Sequence, residues 1–229
     1  MLTEHVRKTA ERFCGRVSAF DVVNEALDVN GNLRTGHPWA NFDYVTLAFE
    51  TAREACPSAK LFYNDFDIAS AHGWSQPKSD GVFRLAQDLK SKGLIDGVGL
   101  QSHIFLDYDL MDGVRENMDR IAGLGLEVQV TELDISCGSP FVENYACDAW
   151  GDTQRQRQAT LYAELLNICL ERSACTSFTL WGFTDQYTWL TNIRGLQYPL
   201  PFEDFTVDGV YAPKPAFFSM LDVLEKEAR

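Results

Sequence analysis

Hydrophobic positions along this chain follow two alternating periods. Spacings of three and four residues mark helical stripes at Leu2, Val6, Ala10 and Phe13; at Phe42, Val45, Phe49 and Ala52; and at Val82, Leu85 and Leu89. The same spacing recurs at Val114, Met118 and Ile121; at Leu161, Leu165 and Ile168; and at Phe217, Leu221 and Leu224. Between these stripes lie short apolar runs: "VSAFDVV" (17–23), "KLFYND" (60–65), "GVGLQ" (97–101), "LEVQV" (126–130) and "SFTLW" (177–181). Such runs predict strands buried on both faces, and their alternation with helices predicts an α/β fold with a parallel sheet, either open and doubly wound or closed into a barrel. No glycine-rich phosphate loop follows any run, which weighs against the nucleotide-binding open sheet.

Polar residues gather where the runs end. Asn24 and Glu25 follow the first run, and Tyr63, Asn64 and Asp65 close the second. Gln101 and His103 follow the third, Glu132 and Asp134 the fourth, and Trp181, Asp185 and Trp189 the fifth. Ligands of parallel α/β folds bind at the carboxyl ends of the strands, so these groups are expected to converge there. Carboxylates and amides suit sugar hydroxyls, indoles suit pyranose faces, and a pair of glutamates suits the cleavage of a glycosidic bond. Ser102 beside His103 raises a hydrolase triad as a competitor, but adjacent strand residues point to opposite faces. His5, His37 and His72 show no ligand spacing and read as surface residues, and no metal or other cofactor is expected; Trp39, Trp74 and Trp150 receive no role.

Composition narrows the partners. The 229 residues are 45% hydrophobic, enough for one domain spanning 1–229. A net charge of −13 disfavours nucleic acid and anionic membrane surfaces, and no apolar stretch approaches the roughly 18 residues of a membrane span. The opening "MLTEHVRKTAERF" is charged and helix-periodic, so no signal peptide is read in it. Among the six cysteines, Cys169 and Cys175 bound a short loop that a disulfide could close, Cys137 and Cys147 flank the loop after Glu132, and Cys14 and Cys56 each precede a predicted strand. Buried thiols are the alternative; paired cysteines would point to an oxidising, extracellular setting.

The motifs resemble those of the endo-1,4-β-xylanases of glycoside hydrolase family 10. "DVVNEAL" looks like that family's acid/base motif, "YNDFD" like its Y-N-D-Y-N, "GVGLQSHI" like its Q-S-H segment, "VTELDI" like its nucleophile motif and "LWGFTDQYTWL" like its W-G-x-x-D-x-x-S-W. "PLPFEDF" and "KPAFFSML" resemble its closing stretches, so the match runs collinearly through nearly the whole chain. The resemblance implies a TIM (β/α) barrel and retaining hydrolysis of xylan, with Glu25 as general acid/base and Glu132 as nucleophile. Asn24 would bond the sugar 2-hydroxyl, Gln101 and His103 would orient the nucleophile, and Asp134 would stand behind them. Trp181 and Trp189 would wall the cleaved sugar, and Tyr63 with Asn64 would lie on the leaving-group side. A retaining mechanism needs carboxyls about 5 Å apart, one protonated and one ionised, and a donating His103 would favour the charged form of Glu132.

The pattern also departs from the family. The sequence begins where that family's helix before its fourth strand begins, so an N-terminally incomplete barrel is expected, with about five of the eight strands and without part of the sugar site. Open edges at 17–23 and 177–181 would then favour self-association. Phe20, Asp67 and Thr188 replace the family's usual tryptophan, asparagine and serine. A non-catalytic xylan-binding remnant and a retaining glycosidase acting on another β-glycan are the alternatives.

Overall fold

A computed structural model describes residues 1–36, 38, 43–138, 150–190, 198–205 and 210–228. The expectations for His37, Trp39, Phe42 and Cys147 lie outside the described residues. In chain order the elements are α1 (Leu2–Phe13), β1 (Ala19–Asn24), α2 (Tyr44–Ala55), β2 (Lys60–Asp65), α3 (Gln76–Ser91), β3 (Gly97–Phe105) and α4 (Met111–Ala122). There follow β4 (Glu127–Ser136), α5 (Asp152–Leu170), β5 (Cys175–Leu180), β6 (Phe202–Phe205), β7 (Tyr211–Pro213) and α6 (Pro215–Glu227). Strands β1 to β5 form one sheet in sequential order, and β6 pairs antiparallel with β7. This is the strand and helix alternation of a (β/α) barrel, represented by five strands.

Local chemistry explains several boundaries. The Asp43 carboxylate accepts the Thr46 N–H at 3.0 Å and caps α2, while Pro77 and Pro215 stand in the first turns of α3 and α6, where a missing N–H costs nothing. The parallel pairing of β1 with β2 sets Ala19 opposite Lys60 and Asn24 opposite Asn64. Its register shifts between Asp21 and Val23, so β1 carries one extra residue, Val22, two positions before Asn24. The loop after β1 is held against α3 by backbone-to-backbone contact: a Cβ on Gly31, whose φ is +76°, would stand 2.5 Å from the Pro77 carbonyl oxygen.

Packing divides the chain into two compact units, Met1–Gln101 with Asp112–Gln129, and Ser102–Met111 with Val130–Arg229. In the first, Leu61, Phe62, Val98 and Leu100 of the strands and Val45, Phe49, Val82 and Leu89 of the helices are buried. In the second, Val130, Leu133 and Ile135 of β4 and Leu161, Leu165 and Ile168 of α5 are buried. The edge strands β1 and β5 are only partly covered.

Two expectations need correction. Strands β3 and β4 run on to Phe105 and Ser136, so Gln101, His103, Glu132 and Asp134 lie inside strands rather than beyond them. Polar side chains are accommodated within these strands because His103 bonds Glu132 and Asp134, and Gln101 bonds Asn24 and Glu25. On α6 the buried positions are Ala216, Met220 and Val223, while Leu221 and Leu224 are exposed. Both stripes have helical spacing, so periodicity alone could not choose between them. The short strands β6 and β7 carried no readable pattern.

The sequence-derived pairing of Cys169 with Cys175 is present, and Cys14 is bonded to Cys56. Cys137 is also disulfide-bonded. The Cys14–Cys56 bond lies against Ala10, Ala59 and Phe20, fastening the end of α1 to the end of α2. It closes a separation of 42 residues against 6 for Cys169–Cys175, so chain entropy assigns the first roughly 4 kcal/mol and the second about 2 kcal/mol. Chemical unfolding of the two double Cys→Ala variants should show the larger loss for Cys14/Cys56; the reverse order would contradict this account.

Candidate active site

The expected site residues fall in both units, and each group is built by its own neighbours. In the first unit Glu25 follows the last residue of β1 and adopts φ +59°, a left-handed conformation uncommon outside glycine. Its main-chain N–H donates to the Asn64 carbonyl at 2.9 Å, and the next N–H, of Ala26, donates to the Tyr63 hydroxyl at 3.0 Å. The side chains are tied as well. Gln101 Nε2 donates to Glu25 Oε1 and to Asn24 Oδ1, both at 3.1 Å, and Asn64 Nδ2 donates to Asn24 Oδ1 at 2.9 Å. With its amide oxygen engaged twice, exposed Asn24 keeps its amide nitrogen as the donor available to a ligand. Gln101, expected to orient Glu132, bonds Asn24 and Glu25.

Two expectations in this unit change. Tyr63 was read as a leaving-group-side contact, but it is 1% exposed and its hydroxyl is spent on Ala26 and Asp65. Asn64 is buried too, with its amide on Asn24. A strand buried on both faces has no solvent side, so its last three residues cannot reach a sugar. The first residues after β2 that do reach solvent are Phe66 and Asp67, and Asp67 also adopts a left-handed φ of +57°.

In the second unit Glu132 adopts φ +55° within β4. His103 Nε2 lies 3.3 Å from Glu132 Oε2, and His103 Nδ1 lies 3.0 Å from Asp134 Oδ1. The Trp189 indole N–H donates to Asp134 Oδ2 at 2.7 Å, and its ring meets the imidazole edge-on at 5.0 Å. Burial alone would lower the His103 pKa, but the hydrogen bonds and charges of Asp134 and Glu132 outweigh it and raise the pKa to about 9. At neutral pH both ring nitrogens therefore carry protons, and each donates to a carboxylate. Trp189 is half-buried and serves this network, whereas Trp181 is 45% exposed with its main-chain N–H on the Leu133 carbonyl. Asp185, expected among the ligand-facing groups, is instead buried against the Lys214 ammonium at 2.9 Å and accepts the Leu200 N–H. Ser102 is buried. His5 and His72 are at the surface, as expected, and His72 pairs with Glu116.

A histidine whose folded pKa exceeds its unfolded value of 6.5 stabilises the fold fully below pH 6.5, and that contribution is lost as pH rises through about 9. The difference in unfolding free energy between wild type and His103→Gln should therefore be largest near pH 6 and shrink toward pH 10, by at most about 3 kcal/mol. Denaturant titrations across this range check it; a difference that does not vary with pH would refute the charged imidazole.

The family model described as glycosyl hydrolase family 10 matches residues 1–223. A β-1,4-xylanase of Dictyoglomus thermophilum is 37% identical over 230 residues, covering 96% of this chain and 62% of that protein. Endo-1,4-β-xylanase B of Thermotoga neapolitana is 32% identical over 233 residues, covering 100% of this chain and 62% of that protein. The crystal structure of xylanase 10B from Thermotoga petrophila RKU-1 in complex with xylobiose superimposes with a TM-score of 0.87 at 33% identity, covering 99% of this chain and 65% of that one. The chain spans less than two thirds of the length of these relatives. On the strength of the family match and of the order and local setting of its motifs, this chain belongs to glycosyl hydrolase family 10.

Proposed function

We propose that this chain carries the catalytic carboxylates of an endo-1,4-β-xylanase that hydrolyses xylan with retention of configuration. The observation that carries this reading is the His103 imidazolium, which bonds Glu132 on one side and is anchored by Asp134 on the other. A nucleophilic carboxylate needs a fixed orientation and a cationic donor, and this arrangement supplies both. Relatives named as xylanases and a neighbouring structure holding xylobiose support the choice of substrate.

In the first step Glu132 attacks the anomeric carbon while Glu25 passes its proton to the glycosidic oxygen; the C–O bond breaks and the leaving xylan end departs as an alcohol. In the second step Glu25 takes a proton from water, whose oxygen displaces Glu132 from the anomeric carbon and regenerates both groups. Asn24 offers an amide donor to the sugar 2-hydroxyl, exposed Trp181 offers an aromatic face, and Trp189 borders the same sugar while holding Asp134. The disulfides support an oxidising, extracellular setting. Among the described residues no helix is long and apolar enough to cross a membrane.

Glu132→Gln keeps the side-chain shape and removes the nucleophile's charge. Reducing-sugar release from xylan should fall by on the order of 10³-fold or more, while xylo-oligosaccharide affinity measured by calorimetry stays within about threefold. Equal loss of binding and turnover would contradict the nucleophile assignment.

A further inference from the structure

We propose that Tyr63 is the positioning residue of Glu25, clamping the main chain one residue beyond it and thereby fixing the left-handed turn that presents the carboxylate. The inference rests on the reading of Glu25 as acid/base and extends it to a group that touches no substrate.

A glutamate at φ +59° sits in a backbone conformation that β-carbon sterics disfavour, so the surrounding bonds must hold it there. Two main-chain bonds do so. Glu25 N–H donates to the Asn64 carbonyl, an extension of the β1–β2 ladder, and Ala26 N–H donates to the Tyr63 hydroxyl. The second is a side-chain device, and it continues inward. The Tyr63 hydroxyl donates to Asp65 Oδ2 at 2.5 Å, while Asp65 Oδ1 accepts the Phe66 N–H at 2.9 Å and lies 2.6 Å from the Lys78 ammonium of α3. Asp65 and Lys78 are 0% and 1% exposed, and the ammonium rests 3.2 Å from the Phe66 ring centroid.

Every member of this relay is fixed for a physical reason. Burial first, and then the Asp65 charge, push the Tyr63 pKa well above its ordinary value, so the hydroxyl keeps its proton and donates in one direction only. Its oxygen is left as an acceptor for Ala26. A buried ion pair contributes little net stability, because desolvating both charges offsets their attraction; its better-attested use is to specify one geometry. Here the geometry specified is that of the tyrosine hydroxyl, and through it the turn after β1.

The test is Tyr63→Phe, which keeps ring and volume and removes only the hydroxyl, assayed on phenyl and 2,4-dinitrophenyl β-xylobiosides. Phenolate needs a proton to leave and dinitrophenolate hardly does, so a displaced acid should lower kcat/KM on the phenyl substrate about 10-fold and leave the dinitrophenyl substrate within about twofold. Glu25→Ala should give the same split, about 100-fold or more. An equal effect on both substrates in Tyr63→Phe overturns the proposal. Loss of the split in Glu25→Ala overturns the acid/base assignment instead. Amide exchange at Ala26 reads the clamp without turnover: exchange at least about 10-fold faster in Tyr63→Phe supports it, and unchanged protection overturns it.

Discussion

A side chain with a β-carbon pays to sit at positive φ, of order 1–3 kcal/mol, and this chain spends that on Glu25 and Glu132. Such conformations persist only where the surroundings over-determine them. Around Glu25 the determinants are the Asn64 carbonyl, the Tyr63 hydroxyl and the Gln101 amide. Around Glu132 they are the imidazolium of His103 and, on the next residue, the Leu133 carbonyl that accepts the Trp181 N–H. Behind the Tyr63 hydroxyl stand Asp65 and Lys78, and behind His103 stands Asp134.

Buried ion pairs occur in both units. Lys78 neutralises Asp65 beneath the turn of Glu25, and Lys214 neutralises Asp185 in the second unit, where Asp185 also accepts the Leu200 N–H. Burial pushes both ammonium groups toward lower pKa, and the partner carboxylates oppose it. Removing one partner would leave an unpaired charge in the core, a cost of several kcal/mol, so each pair acts as a lock more than as a source of stability. Asp134 does the same for His103, with Trp189 closing its second oxygen.

Much of this was legible in the sequence. The run at 60–65 coincides with β2 residue for residue, because a strand buried on both faces is written as a continuous apolar segment. Glu25, Glu132, His103 and Asp134 were legible because a charge at the end of such a run needs an explanation. Tyr63, Asp65 and Asp185 were misread as ligand-facing for the same reason: sequence shows that a polar residue ends a strand, but not whether a distant lysine waits for it. Lys78 and Lys214 stand 13 and 29 positions from their partners on other elements, a pairing that no local pattern announces. The exposed face of α6 was misplaced by one residue because both of its faces are apolar.

Covalent trapping tests the central claim most directly. A 2-deoxy-2-fluoro-β-xylobioside with a dinitrophenolate leaving group should form the glycosyl-enzyme quickly and hydrolyse it slowly, since fluorine destabilises both transition states while the leaving group relieves only the first. Intact-mass measurement should show one added fluoroxylobiosyl group per chain, and peptide mapping should place it on Glu132. A label on any other residue, or no label under conditions in which the substrate binds, would contradict the account.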